Sequence, residues 1–195
     1  MKLSPLPLIA AVVLVALQTG CGRSAQDEPV ANQPESTETV VIPPPPRPLT
    51  IDFNGYGPAR VGMSKAEAEQ ALGDTIDVGP SPPGASCAYA TARHHGGVAF
   101  MLIDGRIARV DARADSVRTE EGAGVGDPEQ RIYYLYGGYV ERQPHHYVDE
   151  GHYLIVRPPP GSDDTRRLIF ETDGKVVTIF RAGRMPEVEW IEGCS

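Results

Sequence analysis

Val61-Gly62-Met63-Ser64-Lys65-Ala66-Glu67-Ala68-Glu69-Gln70-Ala71-Leu72-Gly73 lies over Val125-Gly126-Asp127-Pro128-Glu129-Gln130-Arg131-Ile132-Tyr133-Tyr134-Leu135-Tyr136-Gly137 at an offset of 64, without gaps. Both stretches open on Val-Gly and close on a glycine eleven residues after the first. Each carries its own start for a helix. Ser64 followed by Glu67 is a capping box, in which side chain and backbone satisfy each other's free donors. Asp127 before Pro128 sets an N-cap residue ahead of a proline at the first helical position, with Gln130 at the capping-box place. Gly73 and Gly137 suit the left-handed residue that ends a helix. Ala68, Ala71 and Leu72 match Ile132, Leu135 and Tyr136, spacings that give each helix one apolar stripe. Helices of about nine residues do not hold alone, so each needs a sheet to pack on.

The strand signals repeat as well. Phe100-Met101-Leu102-Ile103-Asp104-Gly105-Arg106-Ile107-Ala108-Arg109-Val110 holds two apolar runs around Asp-Gly, and Leu168 to Ile179 does the same around Asp173-Gly174. Asp-Gly between such runs predicts a hairpin, because the tight primed turn needs positive φ. Further strands are expected at Cys87–Arg93, Tyr139–Val148 and His152–Arg157, with loops at Gly79–Gly84 and Pro158–Asp164. No long crossover helix is available to support parallel pairing. The expected fold class is therefore α+β: two tandem helix-plus-antiparallel-hairpin repeats, about 50–118 and 119–195, forming one two-layer domain.

The phrase Val61-Gly62-Met63-Ser64 with a short helix ending Leu72-Gly73 resembles the repeat of β-lactamase-inhibitor-protein-like domains. It also resembles outer-membrane assembly lipoproteins of the BamE (SmpA/OmlA) type. Met63 matches that motif and Asp127 replaces it in the second copy. The resemblance implies antiparallel-sheet units whose concave face or loops bind other proteins.

Ahead of this domain the composition changes twice. Lys2 is a minimal positive start, Leu3 to Leu17 is apolar, and no other charge precedes Arg23. A run of roughly 15 apolar residues is short for a membrane span but suits a signal peptide, here residues 1–20. The segment ends Leu17-Gln18-Thr19-Gly20-Cys21, and the small residue before Cys21 resembles the lipobox of bacterial lipoproteins, with Gln18 where that motif prefers leucine. The resemblance implies a lipidated Cys21 and, with Gly22 following, the outer membrane facing the periplasm; multiple acyl chains make such an anchor stable. Secretion to the periplasm without lipid is the alternative. Residues 21–49 then form a polar linker running into Pro43-Pro44-Pro45-Pro46-Arg47-Pro48, too poor in apolar surface to fold and biased to an extended spacer. The globular part is expected over residues 50–195.

If Cys21 carries lipid, Cys87 and Cys194 remain as an even pair in an oxidising compartment and predict a disulfide; two free thiols are the alternative. From Thr50 to Ser195 there are 15 Lys plus Arg against 22 Asp plus Glu, a net charge of −7, and 13 of the cations are arginine. That balance carries no footprint for nucleic acid and no basic face for anionic lipid.

Catalytic chemistry finds little to rest on. There is no Gly-x-Ser-x-Gly, and Gly122-Ala123-Gly124-Val125-Gly126 lacks the Lys-Ser/Thr of a phosphate loop. Nothing points to a cofactor or to a catalytic residue. The five histidines fall at His94-His95, His145-His146 and His152. His146 and His152, with Asp149 and Glu150 between them, are weak metal candidates and support an alternative reading as a small periplasmic metal-binding protein or hydrolase. Six of the eight tyrosines lie in the second repeat. Core and cross-strand packing would account for them. A recognition surface would too, with Tyr133, Tyr139, Tyr147 and Tyr153 as its candidates, since tyrosine is enriched in interface hot spots. The functional expectation is a lipoprotein anchored in the envelope, acting as a non-catalytic binding module of inhibitor or assembly type. Its partners would be the membrane, through lipid, and another envelope protein.

Overall fold

A computed structural model describes residues 48–195. The expected signal peptide, Cys21 and the linker up to residue 47 lie outside the described residues. Three two-residue strands come first, β1 (Ile51–Asp52), β2 (Gly55–Tyr56) and β3 (Ala59–Arg60), and make a small sheet of their own. The helix α1 (Lys65–Leu72) leads into β4 (Ile76–Val78), β5 (Cys87–Ala92), β6 (Val98–Ile103) and β7 (Arg106–Ala112). A second helix, α2 (Glu129–Tyr136), leads through a single 3-10 turn into β8 (Val140–Pro144), β9 (His152–Val156), β10 (Arg166–Thr172) and β11 (Val177–Arg184). A last 3-10 turn follows at Glu187–Glu189.

The eight long-sheet strands pair antiparallel in the order β4-β5-β6-β7-β11-β10-β9-β8. Each four-strand meander is continuous, and the two meet at their last strands, where Phe180 pairs with Ala112 and Gly183 with Arg109.

This arrangement overturns the α+β expectation. The described residues are mainly β: eleven strands against two α-helices of eight residues each. Each helix is followed by a four-strand meander: β5, β8, β9 and the two hairpins fall where strands were expected, and β4 is the added strand. The physical reason is that the helices are minor lids on a sheet that closes its own hydrogen bonds, while β1–β4, two or three residues long, are too brief to print a period-two pattern.

The local signals act where the chain turns. Asp104 and Gly105 take φ of 50° and 75°, the pair of positive values a two-residue hairpin turn requires. At α1, Ser64 accepts from the Glu67 amide, and Glu67 accepts from the Ser64 amide at 2.7 Å, so the capping box is complete. At α2 the cap falls on Pro128, which has no side chain to offer, whereas Asp127 folds back to accept from the Gly124 amide at 2.9 Å.

Both helices and the small sheet cover one face of the long sheet. Phe100, Val110, Phe170, Phe180, Leu154 and Leu168 point into that layer and are fully buried, together with Ile51, Ala68 and Ile132. Tyr136 comes down beside Phe170, accepts from the Thr119 hydroxyl at 2.7 Å and donates to Glu121 Oε2 at 2.8 Å; burial pushes its hydroxyl pKa well up.

Candidate binding face

Among the described residues, the opposite face of the sheet carries no α-helix, only the 3-10 turn at Glu187–Glu189. Successive strand residues alternate between faces, so each side chain that flanks a core phenylalanine points out here. Tyr89, Met101 and Arg109 lie abreast on β5, β6 and β7. Ile155, Ile169 and Arg181 lie abreast on β9, β10 and β11. Each row ends on an arginine of a central strand, and both arginines are buried.

A buried guanidinium must be paired and its donors satisfied. Arg109 Nε donates to Asp111 Oδ1 at 2.9 Å, and Nη2 to Tyr89 Oη at 2.7 Å. Its Nη1 reaches the main-chain carbonyls of Glu187 at 3.3 Å and Trp190 at 2.7 Å. Arg181 pairs with Glu171 and donates through Nε to the Val188 carbonyl at 2.6 Å. Burial, and then the nearby Asp111 charge, raise the Tyr89 pKa.

Those carbonyls belong to residues 185–195, which cross this face as a strap. Val188 is fully buried in a second apolar cluster with Tyr153, Ile155 and Ile169. Further along, Gly193 sits so close over Tyr89 that a Cβ there would lie 2.5 Å from its hydroxyl oxygen. The strap is then fastened by a disulfide between Cys194 and Cys87, with Cα atoms 5.4 Å apart. The expected pairing is thus present, and it fixes this segment to β5.

Between the strap and β8 the face stays open. A groove of about 390 Å³ runs there, with Tyr153, Ile155 and Ile169 on its floor, Pro144 and His146 on one wall, and Glu189 and Ile191 on the other. His145 lies behind Tyr153. The amides of Tyr147 and Val148 both donate to His145 Nδ1, at 3.1 and 3.2 Å. The proton of the neutral ring is therefore on Nε2, which lies 3.5 Å from Glu171. The same ring stacks on Tyr153 at 4.5 Å between centroids.

The tyrosines singled out by sequence are not gathered on one surface. Tyr153 is in the groove floor, and Tyr147, 63% exposed, stands beside His146 at the groove wall. Tyr133 is partly buried on α2 against the core of the other face, and Tyr139 is exposed beside Pro158–Pro160. His146 and His152 are likewise separated. His146 faces the groove, whereas His152 Nδ1 meets Glu129 Oε1 of α2 at 2.8 Å on the helix-covered side. Among the described residues, no group of three or more His, Cys, Asp or Glu side chains is placed to share an ion. Arg109 and Arg181 carry this face without having been expected to. The signal available in sequence is a lone arginine inside an apolar run of a strand, at Ile107-Ala108-Arg109-Val110 and again at Ile179-Phe180-Arg181-Ala182.

No family model matches the chain, and no curated protein matches it. Two solved structures are loosely similar. One is an extracellular protein containing an SCP domain from Bacillus anthracis str. Ames, with a TM-score of 0.42 and 9% identity over 64% of this chain and 44% of that one. The chain thus spans less than half the length of that structure. The other is the uncharacterized protein yfeY from Escherichia coli, with a TM-score of 0.46 and 15% identity over 69% of this chain and 99% of that one. Likeness at this level carries no argument about activity or partner. Among the described residues no helix is long and apolar enough to cross a membrane.

Proposed function

We propose that the chain is an envelope lipoprotein, tethered through Cys21 to the outer membrane and facing the periplasm, that works as a non-catalytic protein-binding module of inhibitor or assembly type. The observation that carries this reading is the half-covered second sheet face. A rigid strand surface, with an open groove between strap and β8 and exposed Tyr147 and Ile191 at its margins, suits contact with another protein. The Cys87–Cys194 bridge supports an oxidising compartment. The apolar leader and the proline-rich spacer support export and reach. The metal-binding or hydrolase alternative draws less support, because its two histidines serve opposite faces of the sheet.

Two measurements test the two halves of the reading. Radiolabelled palmitate should enter the wild-type protein and not Cys21→Ala; labelling absent from both would reduce the tether to plain secretion. A photo-crosslinker at position 191 should give one discrete adduct in intact envelopes, and the same crosslinker at position 104, in the β6–β7 turn, should give none. Equal or absent adducts at both positions would end the binding-module reading of this face.

A further inference from the structure

The turn between β8 and β9 is held by two sets of hydrogen bonds with different chemistry. Its ends are tied by main chain alone: the His145 amide donates to the Gly151 carbonyl at 2.9 Å, and the Gly151 amide to the Val148 carbonyl at 2.8 Å. Its tip is tied by one side chain. The Tyr147 and Val148 amides converge on His145 Nδ1, so the tip rests on a lone pair that a proton can take. That side chain is only 9% exposed and lies stacked on Tyr153.

The groups around the ring treat its two nitrogens differently. From β10, Glu171 Oε2 faces Nε2, and Oε1 of the same carboxylate is taken by Arg181 of β11. From β9, Tyr153 presents its ring, and burial raises its hydroxyl pKa, so it stays neutral where histidine titrates. On the turn itself, His146 faces the groove and meets Tyr147 edge-on, while Asp149 and Glu150 are exposed. An imidazolium carries donors on both nitrogens. Its Nε2–H keeps the Glu171 carboxylate, which favours the charge. Its Nδ1–H points at two N–H groups, and both amides lose their acceptor.

We propose that His145 is an acid-released latch: the neutral ring holds the tip of the β8–β9 turn, and the protonated ring stays with Glu171 and lets the tip go. The working window lies between the ordinary histidine and glutamate ranges, about 6.5 and 4.3. The tip carries exposed Tyr147 and Val148 beside the groove wall, so its release reshapes that wall. The latch depends on these contacts alone and goes beyond the binding-module reading, which stands or falls separately.

Amide hydrogen exchange by NMR, corrected for the intrinsic rate at each pH, follows the latch. Between about pH 7.5 and about pH 5.5, protection at Tyr147 and Val148 should fall roughly tenfold, while the Gly151 amide, whose acceptor is a carbonyl, keeps its own. The ring nitrogen shifts of His145 should show the Nε2–H tautomer at the upper end of that range. His145→Asn puts a carbonyl oxygen where Nδ1 lies and accepts the same two amides as an Asx turn without titrating, so its tip should stay protected throughout. His146→Asn leaves the latch in place and should retain the acid loss. Unchanged protection in the wild type through the imidazole titration, an Nδ1–H tautomer at high pH, the same acid loss in His145→Asn, or its abolition in His146→Asn would overturn the proposal. Should His145→Asn fail to fold, the two wild-type measurements decide by themselves.

Discussion

Arg109 and Asp111 show how position alone decides what a charge is worth. The pair spans 2.9 Å, with both side chains almost wholly out of water. One oxygen of Asp111 has no partner at all, so the carboxylate depends on Arg109 for its compensation. Removing one member of such a pair leaves a stranded buried charge, at a cost of about 3–5 kcal/mol. Arg109→Met should lose that much in urea denaturation, while Arg109→Met with Asp111→Leu should recover most of it, because two apolar side chains need no partner. Arg93→Met, which breaks an equally short pair with Asp77 in which both side chains are more than half exposed, should leave the denaturation midpoint where it was. Sequence reading separates these cases poorly. Each arginine sits in or beside a strand, and only the second face, with the strap lying on it, makes Arg109 internal. Asp104-Gly105 was legible for the opposite reason, since its positive φ values are a local demand of the backbone.

At the scale of elements, helices and hairpins were legible and the fold class was not. The Ser64 capping box and the Asp104-Gly105 turn act within four residues, so the chain states them outright, whereas Asp127 misses the α2 cap, which falls on Pro128. The class depends on how many strands join one sheet, and three-residue β4, with exposed Asp77 and Val78, gives no alternation to count. The two caps also differ in a way that predicts different sensitivities. Ser64→Ala should cost about 1 kcal/mol in thermal or urea unfolding. Asp127 supports α2 through the preceding turn and through Arg118 and Arg131 at 3.0 and 3.2 Å, so Asp127→Asn should loosen that turn's hydrogen exchange more than the helix's. The Ser64 amide, then its hydroxyl, hold the Glu67 carboxyl below the ordinary carboxylate range. A group whose pKa is depressed by folding adds stability above its unfolded value and loses it as pH falls through the folded one. Melts from pH 7 down to 3 should therefore show part of the acid decline, beginning near about pH 4, missing from Glu67→Gln. An acid limb identical in both proteins would show that the capping box contributes nothing to it.

Across the whole molecule, one covalent link and two buried arginines share the work of keeping the second face covered. The pairing of Cys87 with Cys194 was legible, since assigning Cys21 to lipid leaves no other partner; the groove was not, because it exists only where a strap from the far end of the chain returns across β7 to β5. The bridge closes a separation of 107 residues, for which the chain-entropy model gives about 4.7 kcal/mol. Two anchors compete for credit in holding the strap: that bridge, and the carbonyl hydrogen bonds from Arg109 and Arg181. Neutral hydrogen bonds net about 1 kcal/mol and those to a charged group about 1.5–3, so the arginines together rival the bridge locally, though they do not constrain the unfolded chain. Cys87→Ser with Cys194→Ser should accordingly lower global stability by about 3–5 kcal/mol. Hydrogen exchange should rise steeply over 190–195, where only Arg109 and the bridge hold the chain, and least at Val188 and Glu189, which Arg181 and the apolar cluster retain. β6 and β7 should lose protection only by the global amount. Uniform loss along the strap would mean that the disulfide alone keeps it on the sheet, and that the two buried arginines serve their carboxylates and little else.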